Sequence, residues 1–308
     1  MLPLLEPSAP CPGCGSSDLK PLHVLRNRKP IVQVPFLALV GCHACGLVFT
    51  SPRPSESELS AFYDRDVEAG WLKGRSVDDP AKSASLEKTL NHKRTKARRL
   101  LDALASLGVI PDAAAPHGFD LGCGLGAFLD VLQDRGWKTS GLEPAYLREF
   151  ASRRHTIIDD IPQTSVFHLV NVNHVLEHVL FPWKTLEALA RASVEGAVLL
   201  CSVPDLESLP RHRDLHYVTN RMHINTFTGT SLAIALRRTG WRPVRVVTGM
   251  SLPETAGDDA ARLSVIAVRD ARADSDPLPA DPLSVAVDAL RAYGRLLGPD
   301  GKGRTAGT

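Results

Sequence analysis

From residue 117 onward the chain alternates between short apolar runs and longer stretches whose apolar residues recur at helical spacing. The runs at 117–121, 139–142, 156–158, 166–172 and 197–203 read as strands. The stretches at 126–135, 145–154 and 182–193 between them read as helices. Strand and helix in regular alternation predict an α/β fold built on a doubly wound, mostly parallel sheet. A helix at 228–239 and two closing strands at 242–248 and 262–269, joined by a Pro/Gly/Asp-rich loop, would complete seven strands. Residues 279–297 carry Leu283, Val287, Leu290, Gly294 and Leu297 on one face, which predicts a docked C-terminal helix. No pattern remains in 299–308, and disorder is expected there.

Upstream the patterning differs. Residues 83–107 place Leu86, Leu90, Ala97, Leu101, Leu104 and Leu107 at helical spacing, with Lys88, Lys93, Arg94, Lys96, Arg98 and Arg99 between them. This predicts one long helix with a basic, solvated outer face. Residues 56–63 predict a shorter helix capped by Ser55 or Ser57. Before it, 47–54 is an extended strap with two prolines, and 22–25 and 31–39 are short strands of a ribbon. Tyr63 and Trp71 border or lie in an otherwise polar segment at 64–82, either as a lid over a ligand or as pins for a loop. The expected divisions are 1–54, a small ribbon; 55–116, a helical linker; 117–270, the α/β unit; 271–298, the C-terminal helix; and the tail.

Cysteine spacing gives the ribbon its chemistry. Cys11-Pro-Gly-Cys14-Gly and Cys42-His-Ala-Cys45-Gly each set two thiolates on one turn, with a glycine that lets the chain curl under a metal. Two such knuckles supply four soft ligands in a closed tetrahedron, which suits a structural Zn2+. His43 is a bystander, since Cys11, Cys14, Cys42 and Cys45 fill the site. With four of six cysteines so engaged and no basic start in the first ten residues for a signal peptide, a reducing cytoplasm is expected. A net charge of +2 over 308 residues gives no electrostatic case for nucleic acid or membrane. No run of about eighteen apolar residues is present to span a bilayer.

The strand at 117–121 runs into Asp120-Leu-Gly122-Cys123-Gly124-Leu-Gly126. Glycines at 122, 124 and 126 allow a tight turn and close approach of the backbone to a ligand. Glu143 follows at the end of the next strand, where a ribose diol finds its acceptor in nucleotide-binding sheets. A dinucleotide turn would read Gly-x-Gly-x-x-Gly. The pattern Asp-x-Gly-x-Gly-x-Gly instead resembles motif I of the class I S-adenosylmethionine (SAM) methyltransferases, which have a Rossmann-like fold. That resemblance implies SAM as cofactor, bound by Asp120, Gly122, Cys123, Gly124, Gly126 and Glu143. Asp159 (with Asp160) would accept from the adenine amino group, and Asn173 would stand at the end of the fourth parallel strand. Cys123 and Cys201 are expected to pack rather than react.

A longer ordered set narrows the resemblance: Cys-Pro-x-Cys-Gly, Cys-x-x-Cys-Gly-Leu-Val-Phe-x-x-Pro-Arg-Pro, the glycine turn, Gly-Leu-Glu-Pro, Val-Leu-Glu-His-Val and His223-Ile-Asn-x-Phe-Thr. The chain is similar to bacterial methyltransferases that carry an N-terminal zinc ribbon. Such enzymes act on nucleotide-linked sugars, glycans or secondary-metabolite intermediates, which implies a small-molecule acceptor and an active enzyme. Sugar C-methyltransferases of this kind have Glu-His where Met222-His223 stands, and an extra C-terminal domain beyond this chain's length. O-methylation therefore stands beside C-methylation. Histidine is the side chain poised to take an acceptor's proton near neutral pH. Among His174, His178, His212, His216 and His223, His223 is the first choice and His216 the second. Glu177 and His178 are expected to start the helix after the fourth strand, with Glu177 as a hydrogen-bond anchor. Two other readings are an RNA or protein methyltransferase whose ribbon grips the polymer, and a SAM-binding protein without turnover.

Overall fold

A computed structural model describes residues 9–26, 31–63, 79–144, 147–212, 215–219, 222–247, 262–275, 277 and 279–296. Trp71, most of the segment at 64–82, the loop after residue 247 and the tail at 299–308 lie outside the described residues, as do the side chains of His212, His216 and Tyr217.

Strands β1 (Leu19–Arg26), β2 (Phe36–Cys42) and β3 (Val48–Ser51) form an antiparallel ribbon. Helix α1 (Glu56–Phe62) follows, and Ser55 rather than Ser57 caps it in a reciprocal pair with Glu58. The long helix α2 (Pro80–Ser106) leads to the α/β unit. There β4 (His117–Leu121), α3 (Ala127–Gln133), β5 (Lys138–Leu142), α4 (Leu147–Ser152), β6 (Thr156–Ile157), β7 (Phe167–Asn173), α5 (Pro182–Ala192) and β8 (Ser193–Pro204) alternate. Residues β9 (Asn225–Thr226), α6 (Gly229–Arg238), β10 (Trp241–Val247), β11 (Arg262–Arg269) and α7 (Ser284–Leu296) complete the order. Seven strands form one sheet in the order β10-β11-β8-β7-β4-β5-β6. β4 through β8 run parallel, and only β11 is antiparallel to its neighbours. The chain steps outward from β4 to β5 and β6, then returns to β7, so the topological switch lies between β4 and β7.

Both faces of the sheet are covered, which explains the nearly unbroken apolar strands. On one face Phe128, Val131 and Leu132 of α3 and Ala97, Leu101 and Leu104 of α2 pack on Leu169, Val198, Leu200 and Ile266. The basic side of α2 is solvated as its pattern implies: Lys88, Lys93, Arg98 and Arg99 are exposed, while Arg94, partly buried, pairs with Asp130 of α3 at 2.7 Å. On the other face Trp183, Leu186 and Leu189 of α5 and Leu232 and Leu236 of α6 pack on Phe119, Val170, Leu199 and Val203.

The ribbon shares its core with the α/β unit: Cys11, Val40, Cys42, Cys45, Leu47 and Phe49 belong to the same buried cluster as Phe119 and Trp183. Its sheet also takes β9 as a fourth strand, Val48 pairing with Thr226 and Phe49 with Asn225. The C-terminal helix docks, but on a rotated face. Ala286 and Ala289 lie buried beside Leu283 against Leu25, Leu39, Leu206 and Leu209, while Val287 and Leu290 are only partly covered. Alanines let the helix approach closely, and a search for large apolar residues does not register them.

Candidate functional site

The two knuckles converge as their spacing requires. Cys11 and Cys45 hold their Sγ atoms 3.7 Å apart, and Cys14 and Cys42 theirs 3.5 Å apart. All four sulfurs lie within 4.8 Å of one another. A tetrahedron with Zn–S bonds of about 2.3 Å has edges of about 3.8 Å. A disulfide would bring a pair to about 2.05 Å, and all four are free thiols. Gly15 and Gly46, directly after the second cysteine of each pair, have φ of 76° and 73°, and their N–H groups donate back to Cys11 and Cys42 carbonyls. The donor set fits zinc, and His43 is outside it.

The glycine turn hangs from the end of β5: the Gly122 and Cys123 N–H groups both donate to the Leu142 carbonyl, at 2.7 and 3.2 Å. Gly122, Gly124 and Gly126 have φ of 71°, 53° and 81°, in the left-handed region that a Cβ resists. At Gly122 an added Cβ would also come within 2.7 Å of Val175 Cγ2. The Gly124 N–H donates to Glu143 Oε2 at 2.8 Å, so the acid at the end of β5 is tied to the turn that precedes it. Asp120 is buried and accepts from Asn171 Nδ2 at 2.7 Å. Burial raises its carboxyl to about 7, against the hydrogen bond from Asn171, with the negative field of Glu143 adding and Lys93 opposing. A cavity of about 460 Å³ opens here, lined among others by Asp120, Gly122, Gly124, Asn173 and His174 and by Lys93 and Lys96 of α2. Neither the lysines nor Asn171 carries a motif by which the sequence alone would have singled it out for the cavity.

Beyond His174 lies a second polar cluster. Glu177 is buried and its Oε1 is 2.9 Å from His174 Nδ1. His178 Nε2 stands 3.7 Å from the same oxygen, and the rings of His178 and His223 meet edge to face at 4.9 Å. Contrary to expectation, Glu177 and His178 do not start a helix. They occupy a turn between β7 and α5, which begins at Pro182. That turn is fastened to the segment carrying His223: His178 Nδ1 donates to the Met222 carbonyl, and Asn225 Nδ2 donates to the carbonyls of Leu176 and Val179. Arg53, just after β3, donates to the Leu180 and Ile224 carbonyls and to Asn225 Oδ1, at 2.7 to 3.0 Å. Burial pushes His223 down to about 4, so its imidazole is neutral. Burial raises the Tyr63 hydroxyl, and Glu177 and Glu143 raise it further, so Tyr63 faces the fields of both the glycine-turn acid and the histidine cluster.

The predicted residues thus fall into groups. Asp120, the glycine turn and Glu143 come together, and Asn173 lines the same cavity. Asp159 is not brought there. It sits on the surface, paired with Arg148 at 2.7 Å, because the chain after β6 turns outward. Cys123 is buried with Leu129 and Ala151, and Cys201 lies in the main core, and burial raises both thiols. Only the backbone of His216 is described, in the short helix Leu215–Val218.

A family model for a methyltransferase domain matches residues 90–246, just over half of the chain. The chain belongs to the methyltransferase-domain family. A SAM-dependent methyltransferase from Archaeoglobus fulgidus is 15% identical, with 56% of this chain and 94% of that one covered at a TM-score of 0.44. The magnesium protoporphyrin IX methyltransferase of Synechocystis PCC 6803, with bound SAH, is 16% identical over 70% and 100% of the two chains, TM-score 0.48. A Haloferax volcanii putative methyltransferase, in complex with the Trm112 methyltransferase activator, is 20% identical over 67% and 97%, TM-score 0.48. No curated protein matches the chain. Among the described residues, no helix is long and apolar enough to cross a membrane.

In this methyltransferase Asp120 offers a pH test. Its folded pKa of about 7 lies above the ordinary value of about 3.9, so the stability it contributes is full below pH 4 and is lost as the pH climbs to 7. Asp120→Asn keeps an oxygen for Asn171 and cannot ionise. It is expected to gain stability over the parent across that window. Thermal melts from pH 4 to 8 check this; a constant difference between the two proteins would contradict it.

Proposed function

We propose that this methyltransferase moves a methyl group from SAM to a hydroxyl-bearing small molecule: a nucleotide-linked sugar, a glycan or a secondary-metabolite intermediate, in a reducing cytoplasm. The observation that carries this reading is His174. It lines the glycine-turn cavity and bonds Glu177 at 2.9 Å, so one side chain belongs both to the donor cavity and to the histidine cluster. When bound, SAM supplies a methyl group already activated on a sulfonium. Asp120, Gly122, Cys123, Gly124, Gly126 and Glu143 would hold it, the carboxylates toward its hydroxyl and ammonium groups, and Asn173 would border the methyl side. His223, neutral and aimed into the cluster, takes the proton of the acceptor hydroxyl at Nε2, because its Nδ1 donates to the Val218 carbonyl at 3.3 Å. His216 is the second candidate.

The ribbon's disposition favours a small acceptor over a polymer gripped by the zinc knuckles. Cys11, Cys42, Cys45, Leu47 and Phe49 are spent on packing against the sheet, and the net charge of +2 offers no field for RNA. Glu143→Ala tests the donor site. Loss of two charge-assisted hydrogen bonds is expected to weaken SAM binding about 10- to 100-fold by titration calorimetry. Undiminished affinity would refute the assignment.

A further inference from the structure

We propose that Glu177, His178 and His223 form a second metal site, one that takes a divalent first-row transition ion and leaves positions open for the acceptor's oxygen. The donor atoms of the three side chains all lie within 4.8 Å of one another. Donors around one such ion at about 2.1 Å stand roughly 3.0 to 3.4 Å apart. His178 Nε2 and Glu177 Oε1 are already at 3.7 Å, and with every donor pair within 4.8 Å, side-chain shifts on the order of 1 to 2 Å close the set.

Three observations make this a built site rather than a chance gathering of polar groups. Glu177 Oε2 is buried and has no hydrogen-bond partner among the described residues, in a side chain only 1% exposed. An unmatched carboxylate oxygen in that position costs about 1–3 kcal/mol or more, and a cation relieves it. Both histidines have Nδ1 committed to a backbone carbonyl, His178 to Met222 at 2.9 Å and His223 to Val218 at 3.3 Å. That fixes the tautomer with the lone pair on Nε2 and orients the ring, as carbonyls behind metal-bound histidines do. The two segments that carry the ligands are locked together by Asn225, whose N–H donates to the Glu177 carbonyl at 3.1 Å and whose side chain holds Leu176 and Val179. The ligands are therefore preorganised before any ion arrives. Two imidazoles and one carboxylate select zinc, manganese, iron or cobalt over calcium or magnesium, and three protein ligands leave room for a hydroxyl oxygen.

The inference rests on the reading of this cluster as the acceptor site and alters one role in it. With an ion bound, His223 would be a ligand, and the ion's charge would acidify the bound hydroxyl so that its proton passes to solvent water. The test is a Co2+ titration of the full-length protein, followed by metal analysis and visible spectroscopy, with SAM binding measured on the same samples. The wild type is expected to take two equivalents. One shows the thiolate charge-transfer bands of the four cysteines, and the other shows only weak d–d bands of nitrogen and oxygen ligands. His178→Ala, His223→Ala and the isosteric Glu177→Gln are expected to lose the second equivalent and keep the first, which also reports that each variant folds. A single equivalent in wild type, or a second that survives all three replacements, overturns the metal site. If SAM still binds in that case, the methyltransferase reading stands; if wild type binds two equivalents and no SAM, that underlying reading is what fails.

Discussion

Cys45→Ser is expected to release the zinc and abolish the cooperative thermal transition of the whole chain, not of the ribbon alone. Cys45 is fully buried and shares a core with Phe119, Val170 and Trp183. A structural zinc contributes an apparent ~10–16 kcal/mol where it has been separated from other effects. That is as large as the net stability of a typical domain, about 5–15 kcal/mol. The ribbon packs on the catalytic sheet and on α7, so its collapse exposes apolar surface on both. Calorimetric melting and metal analysis of the variant check the result. A Cys45→Ser protein that melts where the parent does and holds about one zinc per chain would show that the knuckles are not a metal centre.

The second large effect is at His223. His223→Ala is expected to lower kcat by about 10²- to 10⁴-fold, the usual contribution of a positioned proton acceptor. SAM affinity should change little, because the glycine turn is hung from Leu142 and Glu143, not from this segment. The loss belongs in kcat whether His223 takes the proton itself or holds an ion that would acidify the acceptor hydroxyl. Steady-state kinetics with an identified acceptor, beside calorimetry with SAM, separate the two sites. Activity within about twofold of the parent would remove His223 from the chemistry.

Much of this arrangement was legible in local periodicity. Strands buried on both faces are apolar throughout, and the helices between them carry their stripes at helical spacing, so the order from β4 to β8 follows from the pattern. The glycine turn and Glu143 were legible because a left-handed backbone demands glycine and because one acid terminates a strand. The histidine cluster was only half legible. Glu177 and His178 sit on a turn whose shape is set by Asn225, some 46 to 49 residues away in sequence, and no local signal encodes that contact. The ion pair between Asp159 and Arg148, eleven residues earlier, likewise left no mark on the local pattern. The rotated face of α7 escaped notice because alanine packs well and scores weakly.

The pairing of β3 with β9 sets an order of events during synthesis. The zinc knuckles are complete once residue 45 has been made, long before the parallel sheet exists. Arg53 nevertheless waits for Ile224, 171 residues later, before it can fasten the turn at 176–180 to the segment bearing His223. A nascent chain halted before β9 would carry all four cysteines, the glycine turn and His223, yet lack Asn225, whose side chain holds the Leu176 and Val179 carbonyls.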